Sequence, residues 1–470
     1  MLKLFYLLEP VRAVVMNRLF VSGCLSVLAI LVGVENQAKA DDWPQWLGPQ
    51  RDGVWREDKI VDSFDSDGPP LRWETSIGSG YSGPAVAQGF VYVMDRVDET
   101  VDVSKAKYLH EGPPPQNHNF VRQLLPGKER VRCLSEADGQ LVWEHAYSCP
   151  YTSVTTYAIG PRVTPTVDGD RVYTLGAEGD LLCLAAQDGR VIWSRDLKKD
   201  YQLEIPEWGL AAHPLVDGDR LICVVGGEGT TCVAFDKMTG EERWRALSAR
   251  QPGYCPPMIH ELEGERQLII WHSDSVNGLD PKTGELFWSE AFEATFAMAV
   301  GAPQREGRSL FLMSFNRQSA RIDIGADRRS AETVWRGDTK IGVGGVFNTA
   351  ILRDGHIYAC GQSGRYFCVK LDDGERLWST FEPSTGRRPA AWANVFTVTH
   401  EDRFFHANDL GDLIIAKMDP SGYREVSRAH LIDPTHNIGN RLVVWSHPAF
   451  ANRSVYLRND REIRCYSLAE

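Results

Sequence analysis

Apolar and polar residues alternate in short runs along most of this chain, and tight turns join the runs. Segments such as TPTVDGDRVYTLG and HPLVDGDRLICVVG place β-branched and aromatic residues on both sides of an Asp-Gly pair. Alternation with a period of two is typical of half-buried strands, and Asp-Gly favours the two-residue turn of a β-hairpin. The pattern therefore predicts an all-β protein built from antiparallel hairpins.

A second segment follows each hairpin and repeats along the chain. Its copies include VRCLSEADGQLVW, LLCLAAQDGRVIW, VNGLDPKTGELFW and YFCVKLDDGERLW, each with an apolar stretch, a turn ending in glycine, and a tryptophan. With its hairpin, a unit spans roughly 43–51 residues and holds four short strands, which is the size of a propeller blade.

Eight such units can be counted, although the last one lacks its outer strand at the carboxyl end of the chain. An orphan strand, LRWETSIG, stands near the amino end and carries Trp73. We therefore predict an eight-bladed β-propeller of four-stranded antiparallel blades over residues 71–470. Pairing of the N-terminal and C-terminal strands closes the ring and leaves no exposed sheet edge at the seam.

The recurrent tryptophans occupy one position of the unit, on the outer strand. Because the position recurs in nearly every blade, we interpret these residues as apolar wedges between neighbouring blades, with stacking on a ligand as the alternative. Val426 takes this place in the seventh unit. The set consists of Trp73, Trp143, Trp193, Trp244, Trp288, Trp335 and Trp378.

Small residues stand ten positions before the wedge position in each unit. We interpret this column as close packing between sheets, where free cysteine behaves as a small apolar residue. The repeat spreads these cysteines around the ring, which disfavours disulfide or metal pairing, although one disulfide among Cys149, Cys232 and Cys255 stays open. The column contains Cys133, Cys183, Ala234, Gly278, Gly325, Cys368, Ala416 and Cys465.

Residues 1–40 differ from the repeat and predict a signal peptide. Residues 16–18 (MNR) precede an apolar run, and AKA at 38–40 supplies a signal-peptidase site. We therefore expect an exported protein of the periplasm or cell envelope, or a secreted one. A lipid anchor on Cys24 and an uncleaved membrane anchor are the alternatives, and no later apolar stretch is long enough to span a bilayer.

Two further segments lie outside the repeat. Residues 41–70 form an N-terminal arm that opens with DDWPQWLGPQRDGVW, where proline and glycine prevent a continuous helix. We expect Trp43, Trp46 and Trp55 to anchor this arm against the propeller and to cover the seam, with sugar stacking as the alternative. Residues 96–130 form a proline-rich surface insertion in the first blade.

The net charge of the chain restricts the classes of partner that it is expected to bind. The formal net charge is −12, and without residues 1–40, which hold four basic and two acidic residues, it is −14. Such a charge disfavours nucleic acid and anionic membrane surfaces as partners. We expect a monomer.

Units of the form LDxxTGxxxW, as in GLDPKTGELFW, resemble the pyrroloquinoline quinone (PQQ)-like repeat. This repeat occurs in quinoprotein dehydrogenases and in the BamB-type outer-membrane assembly lipoprotein, both eight-bladed propellers. The resemblance covers residues 71–470. The segments WGLAAHPLVDGDRLICVVGG and DWPQWLGPQRDG are similar to a bacterial group of exported PQQ-like propeller proteins.

If this chain is one of the dehydrogenases of the family, the resemblance implies that it binds PQQ on the propeller axis. It also implies a calcium ion held by carboxylate and amide oxygens, and an aspartate that acts as a base. Many family enzymes also carry two adjacent cysteines joined in a disulfide. This sequence contains neither a Cys-Cys pair nor a Cys-x-x-Cys-His haem motif.

The residues just before each inner strand should line one mouth of the central channel. Their mixture of aromatic, polar and cationic groups suits a partner's peptide, a glycan, or a carboxylated cofactor met by Arg162, and the alternative is a water-facing mouth without a ligand. Two histidines from distant blades make a poor metal motif, so we assign no metal and no catalytic residue. The predicted mouth residues are Tyr81, Arg162, Trp208, His213, Tyr254, Asn348, Trp392, Asn394, Trp445 and His447.

Two functional hypotheses from different classes follow. The favoured one is an exported, non-catalytic propeller that binds a protein or polymer partner at the channel mouth or rim, without a cofactor. The other is a PQQ- and calcium-dependent dehydrogenase of alcohols or sugars, in which Arg162 contacts a PQQ carboxylate. Other chemistry, such as polysaccharide processing, also stays open.

Overall fold

A computed structural model describes residues 41–98, 106–113, 115–117, 120–153, 160–438 and 441–470. The interpretations of residues 1–40 as a signal peptide, and of Cys24 as an anchoring residue, lie outside these described residues. Within them, the strands form eight four-stranded antiparallel sheets and one two-stranded ribbon. This architecture confirms the predicted eight-bladed β-propeller.

Each of the first four blades is a run of consecutive strands that starts beside the axis and ends at the outer edge. Their strands are β2 Ala85–Ala87, β3 Phe90–Asp98, β4 Gly127–Ser135 and β5 Leu141–Ser148; β6 Thr166–Asp168, β7 Arg171–Leu175, β8 Asp180–Ala185 and β9 Val191–Asp196; β10 Leu215–Asp217, β11 Arg220–Val224, β12 Cys232–Asp236 and β13 Glu242–Ala246; and β14 Met258–Leu262, β15 Glu265–Trp271, β16 Ser275–Leu279 and β17 Leu286–Ala291.

Blades five to seven follow the same order, whereas the eighth combines strands from both ends of the chain. Their strands are β18 Gln304–Glu306, β19 Ser309–Met313, β20 Ser319–Ile324 and β21 Ala331–Arg336; β22 Ile351–Arg353, β23 His356–Cys360, β24 Tyr366–Lys370 and β25 Arg376–Thr380; β26 Val395–His400, β27 Arg403–Asn408, β28 Asp412–Asp419 and β29 Gly422–His430; and β32 Ala449–Ala451, β33 Ser454–Arg458, β34 Glu462–Ser467 and β1 Leu71–Ser76.

The remaining elements are short. A ribbon of β30 His436–Asn437 and β31 Leu442–Val443 lies between the seventh and eighth blades in the chain. One helical turn, α1 Leu197–Asp200, follows β9, and a 3₁₀ turn at Thr295–Ala297 precedes β18. No helix among the described residues is long and apolar enough to cross a membrane.

The seam of the ring closes as predicted, because β1 pairs antiparallel with β34 and places Trp73 opposite Cys465. A buried arginine on β33 joins the two blades at the seam. Its guanidinium donates to the carbonyl of Met94 at 2.8 Å and to that of Gly78 at 2.6 Å. The closure therefore combines a strand ladder with charge-assisted hydrogen bonds from Arg458.

The recurrent tryptophan rings lie between neighbouring blades. The indole N–H of Trp143, on the first blade, donates to the carbonyl of Ala186 on the second blade at 2.8 Å. Gly189, in the turn of that second blade, has a positive φ of 70° and lies against the same ring, where a Cβ would be 2.4 Å from it. Only glycine fits both the backbone angle and the close approach.

The small-residue column holds in the first blade, where Cys133 is paired with Trp143. It fails in the fifth blade, where Trp335 is paired with Arg321 and not with Gly325. The prediction of Gly325 was wrong because Trp335 stands fourteen positions after its partner, whereas Trp143 stands ten positions after Cys133.

The column also fails in the seventh blade, where Ala416 is paired with Glu425 and not with Val426. All nine cysteines in the described part of the chain are buried and free of disulfides.

The first blade carries the long connection that the sequence indicated between residues 96 and 130. In the structure β3 continues to Asp98 and β4 begins at Gly127, so strands occupy both ends of the predicted insertion. The connection is tied back to the propeller by Arg96, which donates to the carbonyls of Cys149 and Leu125 at 2.7 and 2.9 Å.

Candidate functional site

A cavity of about 240 Å³ lies on the propeller axis, and each of the eight blades contributes to its wall. We call it the axial well. Eleven of its twenty lining residues are aromatic, so its surface is mainly apolar. The lining consists of Trp46, Tyr81, Asn117, Phe120, Arg162, Trp208, Ala211, His213, Tyr254, Pro256, Phe296, Met298, Val300, Phe315, Val346, Phe347, Trp392, Phe396, Trp445 and His447.

The blade topology brings these residues together. Most of them precede or begin an inner strand, and inner strands converge on the axis of a propeller. Their rings pack against one another around the wall. Ring centroids are 4.4 Å apart for Phe347 and Trp445, and 5.7 Å apart for Trp208 and Tyr254.

Eight of the ten residues that the sequence places at one mouth of the central channel line the axial well, but two of them, His213 and His447, lie at its other end, against Trp46 of the arm. The eight are Tyr81, Arg162, Trp208, His213, Tyr254, Trp392, Trp445 and His447.

The structure places the other two, Asn348 and Asn394, behind the wall. They are 3% and 1% exposed, and the Asn348 side-chain amide donates to Asn394 Oδ1 at 2.8 Å. This pair joins the sixth and seventh blades and does not line the well.

The N-terminal arm closes one end of the axial well, which we call the floor. Trp46 lies there, 3% exposed, with its ring stacked on His213 at 4.9 Å and edge-on to His447 at 5.8 Å. Arg51 lies beside it, 4% exposed, and donates to the carbonyls of Pro214, His213 and Pro257 at 2.9, 3.1 and 3.3 Å. The arm is therefore a structural part of the site.

The three arm tryptophans have different positions. Trp43 pairs with Val86 of the first blade and contacts Phe450 of the eighth, so it covers the seam. Trp55 packs against Phe405 and Phe450, on the seventh and eighth blades. Trp46 also anchors the arm against the propeller, but the expectation that it covers the seam was wrong, because the chain turns inward after Pro44 and this ring lies at the axis.

The opposite end of the axial well, which we call the mouth, carries exposed aromatic residues. Phe120 and Phe315 belong to the connections between the second and third strands of their blades. Those connections share a face with the segments that precede the inner strands. Phe296 lies between them, with ring centroids 6.0 Å from Phe120 and 6.1 Å from Phe315, and it is 57% exposed.

Three residues at the mouth have an unusual backbone conformation. Phe296, Ala297 and Trp392 adopt positive φ angles of 57°, 57° and 56°. A bulky residue in this left-handed region costs roughly 1–2 kcal/mol. Such strain persists where the surrounding structure enforces it, and it clusters at ligand-binding sites.

The two histidines at the floor are neutral over the physiological pH range. Burial, together with His447 and Arg51, holds the pKa of His213 well below its usual value, and its Nδ1 accepts a hydrogen bond from the Thr164 backbone N–H at 2.9 Å. Burial lowers the pKa of His447 to about 3. The floor can therefore offer neutral imidazole groups but no histidine cation.

Arg162 is the charged residue among those lining the well, and it is held by the wall. Its Nε donates to the Trp208 carbonyl at 2.8 Å, and its guanidinium lies over the Tyr81 ring at 5.0 Å. Burial lowers its pKa from the usual value. Its position is fixed by these contacts before any ligand enters.

The donor set of the axial well does not fit a calcium-bound PQQ. Calcium takes six to eight oxygen ligands, among them carboxylates, but no Asp or Glu stands among the described lining residues. Asp409, a fully buried acid nearby, accepts from Arg441 at 2.8 Å and from the Asn394 backbone N–H at 3.1 Å, inside the wall. Within the described ranges, no cluster of three metal-ligating side chains could hold a metal ion.

Sequence reasoning missed several residues of the site. Phe347 and Phe396 stand next to predicted positions and follow the same rule of proximity to an inner strand, so a wider window would have found them. Phe120 and Phe315 lie in connections between the second and third strands, to which the rule does not apply. Phe296 lies in a 3₁₀ turn eight residues before β18, farther from its inner strand than the predicted positions.

Fold and site together define a PQQ-repeat β-propeller with an aromatic well on its axis that is closed at one end. The family model for the outer membrane protein assembly factor BamB matches residues 127–380, which is more than half of the chain. The chain belongs to this family. A comparison with curated protein sequences finds no relative.

Solved structures of similar fold come from proteins of different function. Quinohemoprotein alcohol dehydrogenase from Comamonas testosteroni is 12% identical, with a TM-score of 0.58 over 91% of this chain and 80% of that chain. The computationally designed Ika8 protein is 11% identical, with a TM-score of 0.51 over 85% of this chain and 99% of the other. BamB from Moraxella catarrhalis is 16% identical, with a TM-score of 0.49 over 79% and 96% of the two chains. At such identities the likeness concerns the fold alone.

Proposed function

We propose that this protein is an exported, non-catalytic propeller of the cell envelope that binds a protein or polymer partner at the mouth of its axial well. One observation carries the proposal. The well is lined by aromatic side chains, is closed by the arm, and has no carboxylate among its described lining residues. Such a lining can hold an apolar group and offers no carboxylate as a metal ligand or general base.

Membership of the BamB family supports a partner-binding role, because the name of that family describes an assembly factor. The exposed ring of Phe296 supports the mouth as the place of contact. Aromatic residues are enriched at interface hot spots, where a partner excludes water from them. The alternative, a PQQ-dependent dehydrogenase of alcohols or sugars, would need carboxylate ligands for calcium, and the described lining residues include none.

The first experiment titrates the purified protein with PQQ and calcium and follows the quinone absorbance and dye-linked oxidation of ethanol and glucose. We expect no saturable uptake and no turnover. Stoichiometric PQQ binding with turnover would replace the proposal by the dehydrogenase alternative.

The second experiment places a photo-cross-linking amino acid at Phe296 and, as a matched control, at Val334. Val334 is 45% exposed on the outer strand of the fifth blade and does not line the well or the neighbouring cavities at the mouth. Irradiation of intact cells should give discrete adducts from position 296 and none from position 334. Equal labelling from both positions would contradict a specific partner site at the mouth.

A further inference from the structure

The axial well continues into a surface groove on the mouth face. It shares Phe120, Trp208 and Phe296 with a second cavity of about 660 Å³. That cavity shares Glu207, Arg250 and Gln251 with a third one of about 570 Å³. We call the second and third cavities together the rim groove. A ligand anchored in the well can therefore extend from the axis toward the rim without leaving a concave surface.

The well and the rim groove differ in chemistry. The well is mainly aromatic, so a sugar placed there would bury hydroxyl groups that lose hydrogen bonds to water, and each such loss is costly. An apolar side chain loses nothing of this kind and gains from burial. The well therefore favours an apolar side chain over a saccharide ring.

The rim groove carries five carboxylates and two guanidinium groups, a net charge of three negative. Arg250 pairs with Glu293 at 2.8 Å and with Asp274 at 3.2 Å. Glu204 and Glu228 are exposed and form no ion pair with any described residue. This excess of negative charge complements basic groups on a ligand.

We propose that the well and the rim groove bind an extended, basic segment of a partner polypeptide, with one aromatic side chain of that segment held in the well. The inference deepens the proposed function and rests on it. The apolar well adjoins the charged groove, which matches a chain that presents an aromatic residue and, beyond it, lysine or arginine residues. Phe296, in its enforced left-handed conformation, lines both compartments, and Ala297 lines the rim groove beside it.

The test uses the mature protein, residues 41–470, and a short acetylated, fluorescently labelled peptide. The peptide has one phenylalanine followed by alternating lysine and serine. Fluorescence anisotropy should show saturable binding. Replacing the peptide's phenylalanine by alanine should weaken binding about tenfold or more, the effect of burying one such side chain. Replacing its lysines by glutamates should abolish binding.

Variants of the protein locate the two compartments. Glu204→Gln with Glu228→Gln should weaken the lysine peptide roughly twofold to fivefold at low salt, and the effect should shrink as salt screens the charges. Glu285→Gln with Glu332→Gln changes the charge equally at exposed positions outside the groove and should leave affinity unchanged. Val346→Trp fills the well and should reduce affinity about tenfold or more while an unfolding curve confirms the fold.

Equal affinity for the phenylalanine and alanine peptides would overturn the inference, and so would an unaltered affinity in both groove and well variants. Binding of a neutral oligosaccharide such as cellohexaose in preference to the peptide would overturn it in favour of a polysaccharide. The same samples are titrated with PQQ and calcium. Turnover with PQQ and calcium would contradict the proposed function itself. Absence of peptide binding without such turnover would contradict only this inference.

Discussion

Aromatic side chains lie at both ends of the axial well, but they are buried at the floor and exposed at the mouth. Trp46 at the floor is 3% exposed and is enclosed by His213, His447 and Arg51, whereas Phe296 at the mouth is 57% exposed. The floor ring is supplied by the arm, and the mouth ring by a connection between two blades. The difference teaches that the same residue type stabilises the fold at one end and is available to a partner at the other.

The largest expected effect comes from truncating one ring at each end. Trp46→Ala should lower the free energy of unfolding by about 3 kcal/mol, because it removes a large buried side chain beside a cavity that cannot collapse. Phe296→Ala should change it by less than about 0.5 kcal/mol, since the ring is mostly in water. Urea unfolding of both variants measures the contrast, and equal losses would remove the distinction between floor and mouth.

Arg51 gives the next largest effect. Arg51→Met should cost about 2–3 kcal/mol, because buried carbonyls of Pro214, His213 and Pro257 lose their donor. Part of this loss is offset, because the substitution also removes the cost of burying the guanidinium charge. That cost is the reason why burial lowers the pKa of Arg51 to about 9. Urea unfolding is the measurement.

A second arginine of the arm is the control for this variant. Arg56 is partly exposed and pairs with Asp52 at the surface. Arg56→Met should therefore cost less than about 1 kcal/mol. If the two variants proved equally stable, the arm would not be locked to the axis through Arg51.

The ring of blades could be predicted from the sequence because each blade repeats one local pattern. Hairpin turns, the outer-strand tryptophan and the glycine turn occur within a single unit, and pairing of β1 with β34 followed from the orphan strand. The path of the arm could not be predicted in this way. It depends on hydrogen bonds between Arg51 and carbonyls more than 160 residues away in the chain.

The site was predictable only where it follows the repeat. Positions before the inner strands gave most of the wall, since every blade sends that segment to the axis. Asn348 and Asn394 obey the same rule of position, yet they turn away from the well and bond to each other. Packing between neighbouring blades decides whether such a side chain points into the well or toward the next blade. The repeat pattern of the sequence does not contain this information.

The floor should also make the protein sensitive to acid. His447 has a pKa lowered to about 3 by burial, against about 6.5 in the unfolded chain. Between these values the unfolded chain binds a proton that the folded one does not, so stability is lost as pH falls from about 6.5 toward 3. For this histidine the loss between pH 7 and pH 5 is about 2 kcal/mol.

His447→Phe tests this contribution, because it keeps an aromatic ring beside Phe396, whose centroid is 4.0 Å away. Urea unfolding at pH 7 and pH 5 should show a pH dependence about 2 kcal/mol smaller in the variant than in the wild type. The same pH dependence in both proteins would mean that the imidazole at the floor takes up a proton while the protein is folded.

The smallest effect concerns the backbone of the mouth. Phe296 has a φ of 57°, a conformation that glycine adopts without steric cost and alanine does not. Phe296→Gly should therefore be more stable than Phe296→Ala by about 1 kcal/mol, although glycine is the residue that loses more entropy on folding. Parallel urea unfolding of the two variants gives the difference. If alanine were the more stable replacement, the left-handed backbone would not be enforced at the mouth, and the contrast with the floor would be one of side-chain exposure only.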